Sequence, residues 1–271
     1  MKSDEKTNRF FLYFTIFVGY ALAAVTFNWS LMLGENLMKW DIWVGEYTFQ
    51  LLMTDALQQG KLMLWNPLWQ YGTPTYASLG TPMWYPITLV LAIVGYNPVI
   101  LAFSYVIHVA IGGFGMFLLT EQELRSQHNQ YDRKMLITSI LIGLLYCSSG
   151  LFLSNAEHIM IIISASWIPY IFFFMRKYIE EHKIIYAMLA GASAGMIVLG
   201  GYPELFYDTF LFLALYTLYF QYNRQKCFIY NVLRAMKSYF IVGICTVLCS
   251  AISLIPFLNI MGFLTRTSGL G

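Results

Sequence analysis

Charged side chains are scarce in this chain: 16 Lys and Arg and 14 Asp and Glu in 271 residues, 11% of the total. With 58% of residues hydrophobic and 18% aromatic, polar surface is too limited to enclose one water-soluble core, so lipid bilayer is the expected solvent. Cysteine is equally sparse. Cys147, Cys245 and Cys249 fall in apolar runs and Cys227 in a basic connection, leaving no exported pair for a disulfide framework. Walker loops, HExxH helices, CxxC arrays and GxSxG elbows are all absent, so no strong catalytic motif announces a chemistry. Neither an internal repeat nor a low-complexity segment is present.

What the chain has is apolar length. Runs at roughly 10–33, 97–119, 135–153, 159–175, 184–201, 204–222 and 238–262 can each cross about 30 Å of hydrocarbon as a helix. The expected fold is an all-α polytopic membrane protein with about seven transmembrane helices in a single membrane domain, residues 1–271. Ala21-Leu22-Ala23 resembles a signal-peptide cleavage site, but the apolar run continues to Leu33 and suits a tilted span better.

Placing the N-terminus in the cytoplasm puts 13 cations on that side, among them Arg125, Arg133, Arg176, Arg224 and Arg234, against Lys39, Lys61 and Arg266 outside. This asymmetry fixes the expected orientation by the positive-inside rule. The outer side then carries Glu35, Asp41, Glu46, Asp55, Glu157, Glu204 and Asp208, so nucleic acid is not an expected partner.

Function is expected in the large first outer loop, about 34–96, and at the acidic tips beside it. Within the loop, Phe49, Leu52, Met53, Ala56 and Leu57 recur at helical spacing, with Glu46, Gln50, Asp55, Gln58 and Gln59 elsewhere on the wheel. That pattern predicts an interfacial helix with its apolar face toward lipid. Asp41 is either its N-cap or a catalytic carboxylate, and Gly60 is its C-terminal stop. A second short helix is expected over about 83–95, with Trp84 and Tyr85 in the headgroup layer.

Glu204 and Asp208 lie one helical turn apart. Either they are a functional pair, with one acid protonated or a cation such as a divalent metal between them, or they complement a helix N-terminus. Glu157-His158 is another outer tip, read equally as a solvated cap or a site. His108 is an ionisable group inside a span, on the face of Gly112 and Gly115; a neutral, hydrogen-bonded histidine against a close helix neighbour is the favoured reading. Gly191 and Gly195 form a GxxxG packing match.

Taken together, Asp41, Leu64-Trp65-Asn66-Pro67, Gly72-Thr73-Pro74, Ala77, Tyr85-Pro86, Glu157-His158 with Trp167-Ile168-Pro169, and Gly201-Tyr202-Pro203-Glu204 resemble the landmarks of the YfhO-type family of bacterial membrane proteins. The resemblance spans nearly the whole chain. Tyr202 stands where family members often carry His, and members are longer, so the chain is expected to correspond to an N-terminal part lacking further spans and an exported domain.

The resemblance implies a GT-C type glycosyltransferase of the bacterial cytoplasmic membrane. Such an enzyme takes sugar from a polyprenyl-phosphate carrier and passes it to a cell-envelope polymer, lipid or protein acceptor outside. Asp41 is then the first choice of catalytic base, with Glu204 or Asp208 as a second acid. Lys39, Trp65, Asn66, Tyr85, Glu157, His158, Tyr202 and Arg266 are the expected substrate-binding residues, Lys39, Lys61 and Arg266 being the outer cations available to a phosphate. No cofactor is specified, although a divalent metal is compatible with the acids. The competing expectation is a lipid or solute transporter or flippase, whose site would sit near the midplane; a non-catalytic scaffold is a third.

Overall fold

The computed structural model describes residues 2–38, 41–69, 71–128 and 132–263. In chain order it comprises α1 (Lys2–Phe27), the single turn α2 (Trp29–Met32), a π-helical turn (Ile42–Glu46), α3 (Tyr47–Gln58), a hairpin of β1 (Trp65–Asn66) and β2 (Thr73–Pro74), a 3-10 turn (Thr75–Ala77) and α4 (Pro86–Val94). Then follow α5 (Pro98–Gln127), α6 (Arg133–Cys147), the turn α7 (Gly150–Leu153), α8 (Ile159–Glu181), α9 (Ile184–Leu199), α10 (Glu204–Gln221) and α11 (Phe228–Ile260).

Each apolar run therefore lies in a helix. Among the described residues, five segments, Arg9–Phe27, Pro98–Gln127, Arg133–Leu153, Ile159–Glu181 and Phe228–Phe263, have the length and apolarity of a membrane span. Of the remaining two, α9 is apolar but only 16 residues long, and α10 is interrupted by Glu204, Asp208 and three tyrosines. The first run breaks early, at Asn28, whose side-chain amide donates back to the Ala24 carbonyl at 2.8 Å.

Helix α8 is the hub, packed against α5, α9 and α10, while α5 also holds α1 and α6 and α9 holds α11. Small residues set these approaches. A Cβ on Gly112 would stand 2.8 Å from the Phe152 ring and 3.3 Å from Ser166 Cα, and one on Gly115 2.5 Å from the Tyr170 ring. The predicted face toward a close helix is thus the α5–α8 seam. Gly191 and Gly195 play the same part between α9 and α11, where added methyls would meet Cys245 Cβ at 2.4 Å and Cys249 Cβ at 2.8 Å.

Pro169, inside α8, has no amide to offer the carbonyl four residues earlier. Tyr146 of α6 repairs the gap by donating its hydroxyl to that Ala165 carbonyl at 2.8 Å. In an apolar surround an unpaired carbonyl is costly, so this bond joins α6 to α8 at the point where the proline weakens the helix.

At one end of the bundle the helices are tied by charge. Arg176 lies 3.1 Å from Glu180 and 3.5 Å from Glu123 and donates to Ser126 at 2.9 Å; Glu123 also accepts from Tyr216 of α10. Tyr13 of α1 donates to Glu121 at 2.6 Å, and Arg125 pairs with the same carboxylate at 2.8 Å. Arg125 and Arg176, two of the cations that the sequence groups together, therefore meet at one end of α5 and α8.

Gly191 tests the packing. Its substitute methyl would also come 2.7 Å from the Val242 carbonyl oxygen, and backbone cannot step aside as a flexible side chain does. Gly191→Ala is expected to destabilise by about 1–3 kcal/mol in detergent thermal unfolding, whereas Gly19→Ala, with nothing within 4 Å, should be neutral or slightly stabilising.

Candidate functional site

The long loop between α2 and α5 is folded onto the opposite end of the bundle. Its apolar residues Ile42 and Tyr85 share a buried cluster with Ile159, Ile162 and Ile163 of α8 and Leu199 of α9. The 3-10 turn Thr75–Ala77 packs on α11. The loop thus bridges the start of α8 and the far helix.

Glu46 makes the central contact. It ends the π-helical turn, and its carboxyl accepts the Ile159 amide at 2.8 Å. The first amides of α8 have no partner within the helix, and His158, in the N-cap position, makes no side-chain cap. Glu46 supplies that acceptor from 113 residues away in sequence. Burial, against the opposing pull of the Ile159 and Met160 amides and reinforced by the Asp41 charge, pushes its carboxyl up to about 8.

Asp41 stands at the start of the same turn, exposed. It is not an N-cap: its backbone is already helical, φ −61° and ψ −24°, and its side chain makes no cap bond, whereas a capping residue sits in the extended region with its oxygen on an amide. Gly60 does stop α3, at φ +70°, with Lys61 and Gly60 donating to Ala56 and Leu57 at 2.9 Å each, the paired bonds of a Schellman ending.

The expected lipid-facing helix is also corrected. Phe49 and Met53 of α3 pack on Leu91 and Ala92 of α4 and on Met63 and Met83. Gln50, expected on the polar face, is fully buried with neither amide atom paired. Glu46, Gln50 and Thr54 form a polar i, i+4, i+8 stripe that faces inward.

The second expected helix is α4, with Pro86 in its first turn and Gly95 after it at φ +110°. Tyr85 does not face lipid headgroups. It is fully buried, and its oxygen lies 2.9 Å from both Trp167 Nε1 and His108 Nε2. His108 Nδ1 is 2.6 Å from the Ser104 carbonyl, which can only accept. One proton assignment follows: Nδ1–H donates to Ser104, Nε2 accepts from the Tyr85 hydroxyl, and Tyr85 accepts from Trp167. His108 is thus the hydrogen-bonded histidine expected, with its partner at the entrance of α4.

The tip between α9 and α10 lies beside the same end of α8. A Cβ on Gly201, at φ +93°, would meet Met160 Sδ at 3.0 Å and the Pro82 nitrogen at 3.2 Å, so only glycine allows this approach. Tyr202 is partly buried next to it; Glu204 opens α10, and it and Asp208 are both exposed. Glu157 and His158 lie just ahead of α8, 3.9 Å apart.

The structure therefore gathers Glu46, Tyr85, Glu157, His158 and the Gly201-Tyr202 tip around one helix end, with Asp41 on the attached turn. Trp65 and Asn66 belong to the hairpin, where the Trp65 indole covers Gly72 and Asn66 accepts the Leu68 amide at 2.9 Å; there they shape a turn. Lys39 and Arg266 lie outside the described residues. Among the described residues, no three His, Cys, Asp or Glu converge to hold a metal.

Comparison with protein-family models, curated proteins and solved structures finds no match. The YfhO-type resemblance rests on the short motifs alone.

Glu46 yields a pH prediction. Its ordinary value of 4.5 is raised to about 8 in the fold, so the folded state binds the extra proton. Stability should fall as pH rises from about 5 toward 8 and level off above. Thermal unfolding in detergent should show this, and Glu46→Gln, which retains an acceptor for Ile159, should flatten the profile. An unchanged fall in Glu46→Gln assigns the effect to another group.

Proposed function

We propose that the chain is a GT-C-like glycosyltransferase of the bacterial cytoplasmic membrane, crossing it seven times with the N-terminus cytoplasmic. On this reading it transfers sugar from a polyprenyl-phosphate carrier to an envelope acceptor on the outer face. The observation that carries it is the gathering of outer polar segments at one helix end: Asp41 exposed on a turn that Glu46 fastens to α8, beside Glu157-His158 and the Gly201-Tyr202 tip.

The chemistry asks little of such a site. An acceptor hydroxyl oxygen bonds to the anomeric carbon, the bond from that carbon to the phosphate oxygen breaks, and polyprenyl phosphate leaves with the electron pair. The hydroxyl proton goes to a carboxylate. Asp41 takes that role because it is exposed and makes no cap, while its turn is held in place. Glu204 or Asp208 orients the acceptor, and outer cations meet the phosphate.

A transporter reading draws on a different feature. The hydroxyls of Thr88 and Ser104 approach that of Tyr96, all three buried, and the buried Gln50 amide is unpaired. A carrier would use such a polar interior as a path.

The deciding assay is release of labelled sugar from a synthetic polyprenyl-phosphate sugar by the purified chain. Asp41→Asn should lower transfer by about 10²- to 10⁴-fold. Asp41→Ala should lose as much, with thermal stability unchanged because no cap is lost. Near-normal transfer by Asp41→Asn removes Asp41 from the mechanism; substrate uptake into vesicles without transfer supports the carrier.

A further inference from the structure

The periphery of α10 carries a second feature, independent of the outer site. Between α8 and α10 runs an apolar trough of about 590 Å³ that includes Phe172, Phe212, Leu215 and Tyr219. A recess of about 430 Å³ shares Leu215 and Tyr219 with it and continues to Tyr222 and Arg224. The two form one track along the helix, with Asp208 lining one end and Arg224 the other.

We propose that this track binds an anionic phospholipid, its phosphate on Arg224 and one acyl chain along Tyr219, Leu215 and Phe212. Arg224 is exposed and has no ion-pair or hydrogen-bond partner among the described residues, so its charge is available. Tyr219 and Tyr222 line the recess with it, and such amphipathic rings favour a headgroup layer. From Gln221, where α10 ends, back to Phe212 the helix rises about 13.5 Å at 1.5 Å per residue, close to the roughly 15 Å of one leaflet's hydrocarbon, and Arg224 follows in the turn beyond it.

Charge selects the direction of binding. Arg224 attracts a phosphate at its end, whereas Asp208 repels one at the other. The leaflet is therefore the one facing the basic helix ends; naming it cytoplasmic rests on the orientation proposed above, but binding in detergent does not.

The test uses the purified full chain in a neutral detergent, titrated with phosphatidylglycerol or with phosphatidylcholine of the same acyl chains and followed by native mass spectrometry. Phosphatidylglycerol should bind more tightly. Arg224→Gln should weaken it about fivefold, the roughly 1 kcal/mol that one cation contributes near an anionic headgroup, and weaken phosphatidylcholine, whose phosphate is offset by its choline cation, less. Leu215→Trp, filling the trough from its exposed side, should weaken both lipids. Equal binding of the two lipids by the parent chain, or no effect of Arg224→Gln, overturns the headgroup assignment. Unchanged binding by Leu215→Trp overturns the chain assignment, and a dimer that Leu215→Trp dissociates makes the occupant a second copy.

Discussion

The carboxyl of Glu46 on the first amides of α8 is the contact on which the rest of this end of the bundle depends. A helix that begins at the edge of an apolar bundle cannot leave its opening N–H groups bare, because neither hydrocarbon nor packed side chains accept them. His158 does not cap them. The acceptor comes from the loop at 2.8 Å, and with it come Ile42 and Tyr85 into the same buried cluster as Ile159 and Ile162. Local demand at one helix end thus becomes tertiary order for a loop of some fifty residues.

Helix α8 repeats this logic along its length. Where Pro169 deprives Ala165 of its partner, Tyr146 supplies one. At the opposite end Arg176 binds Glu123 and Glu180 and lies over the Phe220 ring, 4.0 Å from its centre. The hub is held by polar bonds at both ends and at its proline, with glycine-mediated packing against α5 between them. Such a scaffold holds the turn carrying Asp41 against α8, which on the proposed function is what a carboxylate needs to act on a positioned hydroxyl.

Much of this was legible in the sequence because bilayer physics writes itself as length and spacing. The apolar runs are helical, two of them broken, at Asn28 and at Ser148-Ser149, Gly60 ends its helix, and Gly112, Gly115, Gly191 and Gly195 lie at close seams. The errors share one cause. A polar residue on a helical wheel was read as facing water, yet Glu46 and Gln50 face the bundle, since a loop packed on helix ends has polar demands inside it. The i, i+4, i+8 stripe of Glu46, Gln50 and Thr54 was visible but carries no sign of which side is wet. Tyr85 was misplaced for the same reason: an aromatic beside proline at a span entrance suits a headgroup layer as well as a buried hydrogen bond. Asp41 fits a cap by residue type and position, and its helical dihedrals and the absence of a side-chain cap bond exclude it.

Hydrogen exchange at the start of α8 tests the account most directly. The Ile159 and Met160 amides should be protected in the parent chain, and Glu46→Ala should speed their exchange by about one to two orders of magnitude, the cost of a lost buried acceptor, together with amides of the loop around Tyr85. Equal protection in Glu46→Ala and the parent would show that the loop is held by something other than this carboxyl, and would contradict the account.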